Sequence, residues 1–586
     1  MTKSMRRMPW AMTIAIVVLP VLASAASSEL EFVRRVRAMS PLRARPTVTR
    51  LSEMVPMADG TRLQTSVYLP ASTGRSPALL VRTPYNDATD GADDFAYGGI
   101  ADYYVARGYV VVIQTIRGKY ASEGAYRLLS RGEIEDGAAV VNWIASQSWS
   151  DGKVAAMGVS HDGFDALATG IGNPPALKLV ISGGGPADIR TDAFLQAGTV
   201  DTSLLDYIDF MYSETGDVYD QIFYERMQTL ALPEPRLRIY DTLVSQKPLP
   251  AWDELIKGMN TPSSSYWAKR RIRDRLQECR IPIVQFAGLF GDGDMPDVIR
   301  NFEYLEQNGI TSRLLMGWWN HGSSGPYGEV QLWTPAYVLS RYDAYLDYYL
   351  KGISSPLLDE KRIQVYARGE EKFVASDSWP QLPGYTDREY YLARGSSTAG
   401  KLLAKPRAES QPSQDYNYDP LVLPSVLTVQ GPLQTRSDQL VFLADPSPAD
   451  LPVCGKVDLA LNAASSAKDT DLYALLFVRQ LDGEDRLLSP FPGRLQARQR
   501  GGDYAAPSML VPGQAYVFEI SLPFASGVIR KGERLGLVVT SSLFPYVVRN
   551  ANSGRKIGAD PAFMTATETV YFGKLYPSKV TIRVRR

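Results

Sequence analysis

A serine hydroxyl is a poor nucleophile until a base takes its proton, and the base, most often histidine, is itself oriented by a carboxylate. Only two histidines occur among the 586 residues, so the search for such a base is short. Ser160 stands in Gly158-Val-Ser-His-Asp-Gly163, directly after the apolar run Lys153 to Met157 and directly before a helix-forming stretch from His161 to Thr169. A serine on the turn between a buried strand and a helix projects its oxygen above the sheet. Small neighbours are needed because helix and strand come close there. Gly158 and Gly163 meet that need, although the second glycine comes three residues after the serine where two is more usual.

His161 adjoins Ser160, where neighbouring side chains diverge, so it is a poor base; its backbone N–H is instead placed to serve a developing oxyanion. His321 follows the apolar run Arg313 to Met316 through Gly317-Trp-Trp-Asn320. That puts it in a loop beyond a strand's carboxyl end, where α/β active sites assemble, and makes it the expected base. The chain order serine, acid, histidine points to Asp292 in Gly288-Leu-Phe-Gly-Asp-Gly293, with Asp294 and Asp297 as competitors. Arg82-Thr-Pro-Tyr-Asn86 ends an early strand and could carry the Tyr85 hydroxyl over the same edge, although simple packing accounts for that tyrosine equally well. The chemistry is acyl transfer to water through an acyl-serine, and no metal or organic cofactor is implied.

The elements needed to position these residues are legible. Runs Leu51 to Pro56 and Arg62 to Leu69 flank the turn signal Asp59-Gly60 and predict an opening hairpin. Apolar runs at Ala78 to Val81, Tyr109 to Ile113, Lys153 to Met157, Leu179 to Ser182, Ile283 to Phe286 and Arg313 to Met316 alternate with helix-period stretches such as Glu133 to Gln147. Strand and helix in alternation predict an α/β fold with a parallel sheet covered on both faces. The expected organisation is an α/β-hydrolase domain in two parts, 47–186 and 281–361, a helical cap over 187–280 where strand runs cease, and an all-β sandwich or jelly roll over 362–586.

Bulk properties narrow the partners. Hydrophobic content of 45% and charged content of 22% suit folded domains, and 63 basic residues against 63 acidic ones leave no electrostatic footprint for nucleic acid. Lys3, Arg6 and Arg7, an apolar run from Trp10 to Leu22 and Ala23-Ser-Ala25 read as a signal peptide over 1–25. The mature chain is then exported, periplasmic or secreted, with no stable membrane insertion and a small-molecule ester or amide as its partner; its composition suits a monomer or a homo-oligomer. Cys279 and Cys454 are the only cysteines, and either a bridge or two buried thiols is compatible with their spacing.

With those pieces assembled, the chain resembles the family of cocaine esterase, the X-Pro dipeptidyl-peptidases, the α-amino-acid ester hydrolases and the glutaryl-cephalosporin acylases. The segments that carry the likeness are Met54 to Arg62, Arg82 to Asn86, Gln114-Thr-Ile-Arg-Gly-Lys-Tyr-Ala-Ser-Glu-Gly124, Trp149 to Gly152, Gly158 to Gly163 and Gly317-Trp-Trp-Asn-His-Gly322. The resemblance implies a Ser160, Asp292 and His321 triad, Tyr85 and the His161 amide as oxyanion donors, a helical cap and a C-terminal jelly roll. It also accounts for the glycine spacing, since the family's pattern is Gly-x-Ser-x-x-Gly. His161 stands where family members commonly carry tyrosine, and Thr115 where they carry aspartate. Asp294 resembles one member of a carboxylate cluster that holds a substrate ammonium, while Gly293 stands where another would be. An X-Pro dipeptidyl-peptidase or a β-lactam acylase is the alternative within the family; outside it, the alternative is a glycan-binding protein with an inert hydrolase domain.

Overall fold

The computed structural model describes residues 48–71, 74–85, 97–191, 195–201, 207–208, 211–212, 265–289, 295–319, 321, 334–395, 399–409, 412–422, 436–502, 506–544, 547–555 and 563–586. The signal segment, Asp292 and Asp294, and most of the expected cap lie outside the described residues.

The opening hairpin forms as the turn signal predicts, from β1 (Thr49–Pro56) and β2 (Arg62–Leu69) in antiparallel register. The six apolar runs become β3 (Ser76–Thr83), β4 (Val110–Thr115), β5 (Ser150–Val159), β6 (Leu177–Gly183), β9 (Ile283–Gly288) and β10 (Ser312–Gly317), while a short hairpin of β7 (Leu195–Gln196) and β8 (Thr199–Val200) forms inside the expected helical cap, where no strand was expected. Five helices of nine or more residues are described: α1 (Tyr97–Val105), α2 (Glu133–Ser146), α3 (His161–Ile171), α4 (Met295–Gln307) and α5 (Thr334–Leu346). The main sheet runs β1-β2-β4-β3-β5-β6-β9-β10 and continues into two further strands. From β4 to β10 every neighbouring pair is parallel.

Alternate residues of each strand point to opposite faces, and both faces are dry. Ala78, Leu80, Val110, Val112, Val154 and Ala156 join one core with Val140, Val141 and Phe164 of α2 and α3. Leu79, Val81, Val111, Ile113, Ala155 and Met157 join the other with α1 and α5. This is why the strands read as continuous apolar runs rather than alternating ones.

One expected boundary moves. The expectation put the all-β domain from residue 362, but β11 (Ile363–Ala367) pairs parallel with β10, and β12 (Lys372–Ser376) pairs antiparallel with β11, so both finish the hydrolase sheet. The second sheet begins at Tyr385 and runs to Arg585. Short β-rich segments look alike in sequence whichever sheet they join, because pairing is decided by partners far along the chain.

The two domains share a core. Phe524 and Cys454 of the all-β domain pack with Phe302 and Trp318, and Trp379 stacks on Phe524. Elsewhere the β7–β8 hairpin is tied to the all-β domain: Val548 N–H donates to the Val200 carbonyl at 2.9 Å, and Arg494 pairs with Asp201 at 2.9 Å. Both cysteines are buried free thiols, with burial raising that of Cys279 to about 11 and that of Cys454 to about 12.

Candidate active site

Parallel register lines up the carboxyl ends of the central strands. Val159 sits beside Gly183, Gly183 beside Phe286, and Gly288 beside Gly317. The edge is knitted just beyond the strands: Ser160 N–H donates to the Gly183 carbonyl at 2.7 Å, Gly184 to Phe286 at 2.9 Å, and Leu289 to Gly317 at 2.7 Å. Ser160 is the turn between β5 and α3 and holds φ at 62°, a left-handed conformation that costs a non-glycine residue about 1–3 kcal/mol. Surrounding packing must enforce it.

The glycines show how. A Cβ on Gly158 would lie 2.3 Å from the Asp162 carbonyl carbon, and one on Gly163 would lie 2.8 Å from the Gly183 oxygen and 3.1 Å from the Gly185 Cα. Helix and strand can therefore close on the serine only with hydrogen at both positions. All eleven residues of α3 are buried, so the helix cannot slide to relieve the turn. His161 opens that helix, where first-turn N–H groups lack intrahelical acceptors and favour negative charge.

Tyr85 and His321 fall along the same edge. Tyr85 follows β3 by two positions, with its N–H on the Thr83 hydroxyl at 3.1 Å. His321 is half-buried, four residues past the end of β10. Gly317 is needed there because the Trp319 ring folds over it, 1.5 Å from where a Cβ would stand. Asp297, offered as a competing acid, is a buried residue of α4 with Arg300 3.5 Å away.

The His161 side chain is engaged as well. Its ring is buried, and Nδ1 lies 2.7 Å from the Tyr207 hydroxyl, which lies 3.1 Å from the Tyr85 hydroxyl. Burial, assisted by the positive charges of Lys119 and Arg82, pushes the imidazole down to about 3, so the ring is neutral. One helical turn on, Asp165 places Oδ2 4.0 Å from His161 Nε2, and neither of its oxygens has a hydrogen-bond partner. Burial, reinforced by Glu133, pushes the Asp165 carboxyl well above the usual carboxylate range and favours its protonated form.

Beneath lies a buried ion pair, Arg82 with Glu133 at 2.9 Å, the side chains only 1% and 4% exposed. Arg82 also donates to Gln114 Oε1 and to the Glu133 carbonyl. Arg117 bridges Asp136 of α2 and Asp59 of the opening turn, while Ser122 bonds the Thr115 carbonyl and Glu123 pairs with Arg62. The Arg-Gly…Ser-Glu-Gly stretch is thus a brace between hairpin and helix. Sequence reasoning missed Tyr207, Arg82, Glu133 and Asp165. The available signal was charge inside apolar runs: Arg82 ends a fully buried strand and Asp165 sits in a helix rich in Ala and Gly.

Residues 59–323 match the family model described as X-Pro dipeptidyl-peptidase (S15 family), and residues 358–581 match that of the X-Pro dipeptidyl-peptidase C-terminal non-catalytic domain. The two matches together give the chain a serine-hydrolase domain followed by the C-terminal domain that accompanies it in such enzymes. The chain is 26% identical to a cocaine esterase of Rhodococcus sp. over 91% of its own length and 97% of that protein. In fold it resembles an aminopeptidase from a marine sediment archaeon of the Thaumarchaeota, with a TM-score of 0.79 at 24% identity, covering 94% of this chain and 98% of the other. An α-amino acid ester hydrolase gives a TM-score of 0.76 at 22% identity, covering 93% of this chain and all of that one. The chain is accordingly a serine hydrolase of ester or amide bonds, with an α/β-hydrolase fold and a C-terminal all-β domain.

Proposed function

We propose that the chain is an exported esterase whose nucleophile is Ser160, with His321 as base, Asp292 as its orienting acid, and Tyr85 and the His161 amide as oxyanion donors. Ser160 Oγ attacks the acyl carbonyl while His321 takes its proton; the proton then goes to the leaving alcohol as the ester C–O bond breaks. Water repeats the sequence on the acyl-serine and frees the acid. The observation that carries this reading is the enforced left-handed turn at Ser160, on the carboxyl edge that also bears Tyr85 and His321. The likeness to cocaine esterase over nearly the whole chain favours esters over amides.

Fluorophosphonate labelling tests it. The wild-type enzyme should be labelled and Ser160→Ala should not, with aryl-ester turnover falling by on the order of 10⁴-fold or more. An unlabelled wild type, or full turnover in the alanine variant, would overturn the assignment. Comparing an aryl ester with an X-Pro anilide and a cephalosporin separates esterase from dipeptidyl-peptidase and β-lactam acylase. Export is supported by the charged, apolar and small-residue pattern of residues 1–25, and N-terminal sequencing of the exported protein should begin at Ala26.

A further inference from the structure

Tyr85 can stabilise an oxyanion only if its single proton faces the substrate. Its hydroxyl lies 3.1 Å from that of Tyr207, and between two hydroxyls either can donate. If Tyr85 donated to Tyr207, the proton needed at the oxyanion would point away from it. The productive order therefore has Tyr207 donating to Tyr85, which requires the Tyr207 oxygen to be on the receiving side of its other short contact, 2.7 Å from His161 Nδ1.

We propose that the His161 side chain is a positioning residue of the oxyanion site: carrying its proton on Nδ1, it donates to Tyr207, Tyr207 donates to Tyr85, and the Tyr85 proton is left for the substrate. This rests on Ser160 as nucleophile and Tyr85 as oxyanion donor. A neutral imidazole has one N–H, so a proton on Nδ1 leaves Nε2 bare, facing Asp165 at 4.0 Å. A carboxylate in that place would draw the proton to Nε2; a protonated carboxyl does not. The Asp165 carboxyl is buried beside Glu133 and Asp162, which favours the protonated form.

Tyr207 is held for this purpose. Four and five residues on, the Met211 carbonyl accepts from Lys119 Nζ at 2.9 Å, and the Tyr212 hydroxyl accepts from the Leu128 N–H at 3.3 Å. The brace that joins hairpin and helix thus also grips the segment that delivers Tyr207.

The test uses the full-length enzyme, an aryl ester and the fluorophosphonate label. Tyr207→Phe and His161→Leu should each lower kcat by about 10-fold with KM nearly unchanged, because the lost interaction acts in the transition state. His161→Asn, which keeps an N–H near the Nδ1 position, should recover most of that loss. Tyr85→Phe should cost about 100-fold or more, and Tyr85→Phe/Tyr207→Phe should be no slower than Tyr85→Phe alone, because the relay then has nothing to orient. Multiplicative losses in the double variant, or a rise in KM with kcat unchanged, would overturn the relay. With two histidines in the chain, the ¹⁵N spectrum of histidine-labelled wild type reads the tautomer directly, whatever the variants' stability: a proton on Nδ1 of His161 is expected, and one on Nε2 overturns the proposal. An unlabelled, inactive wild type would overturn the relay together with the Ser160 assignment; a labelled, active enzyme with multiplicative losses would overturn the relay alone.

Discussion

Asp165, under the serine turn, and Asp469, in the all-β domain, are both fully buried carboxyls, and their surroundings differ sharply. Neither oxygen of Asp165 meets a donor. Asp469 accepts from Gln496 Nε2 at 3.0 Å, from the Arg498 N–H at 3.0 Å and Nε at 2.7 Å, and from Asn550 at 3.2 Å. Its neighbour Asp471 accepts from Asn550 at 2.8 Å and from the Tyr473 hydroxyl at 2.9 Å, and Glu568 from Ser465 at 3.1 Å. The donor set around Asp469 is how a fold tolerates buried charge. A carboxyl left without donors is tolerated by staying neutral, and it stands next to the residues assigned to chemistry.

The largest effect expected from breaking this contrast is at Asp469. Asp469→Asn strips Arg498 of its counter-charge inside the core and should destabilise the protein by about 3–5 kcal/mol in denaturant unfolding, with aryl-ester kcat in the surviving native fraction unchanged. The next concerns pH. Burial raises Asp471 and Glu568 to about 7 in the folded state, against ordinary values near 4. Between those limits the unfolded chain has released protons that the folded one retains, so these groups contribute stability that is full below pH ~4 and lost as pH rises to ~7. Asp471→Asn with Glu568→Gln should flatten that fall in a series of thermal melts, and an unchanged pH slope would show the two groups to be ionised in the core. The smallest effect is at Asp165, where Asn replaces a group already neutral: the unfolding free energy at pH 7 should move by less than about 1 kcal/mol. A loss at Asp165 as large as at Asp469 would collapse the comparison.

What could be read beforehand follows the range of the interactions. The strand–turn–helix around Ser160 is local, and its glycines announce themselves within six residues; the six apolar runs likewise became strands within a few residues of their expected ends. From its own residues Tyr85 was legible only as a position after a strand, and its expected role came from the resemblance; the hydroxyl it meets is 122 residues away. Nothing in the sequence near Tyr207 marks it, since its role comes from meeting His161 across the fold. That β11 and β12 finish the hydrolase sheet was not legible for the same reason: their partner, β10, decides where they belong. The expected acid, Asp292, and the bulk of the expected cap fall outside the described residues.

The tie between the β7–β8 hairpin and the all-β domain bears on how this enzyme can be engineered. Val200, Ile208 and Met211 share one core with Phe544 and Val548, so the wall behind Tyr207 is built from both ends of the chain. A catalytic fragment ending before Tyr385 would lack that backing, and grafting a foreign C-terminal domain would change turnover unless residues 195–212 were transplanted with it. The family's non-catalytic domain is, in this molecule, a load-carrying wall of the catalytic room.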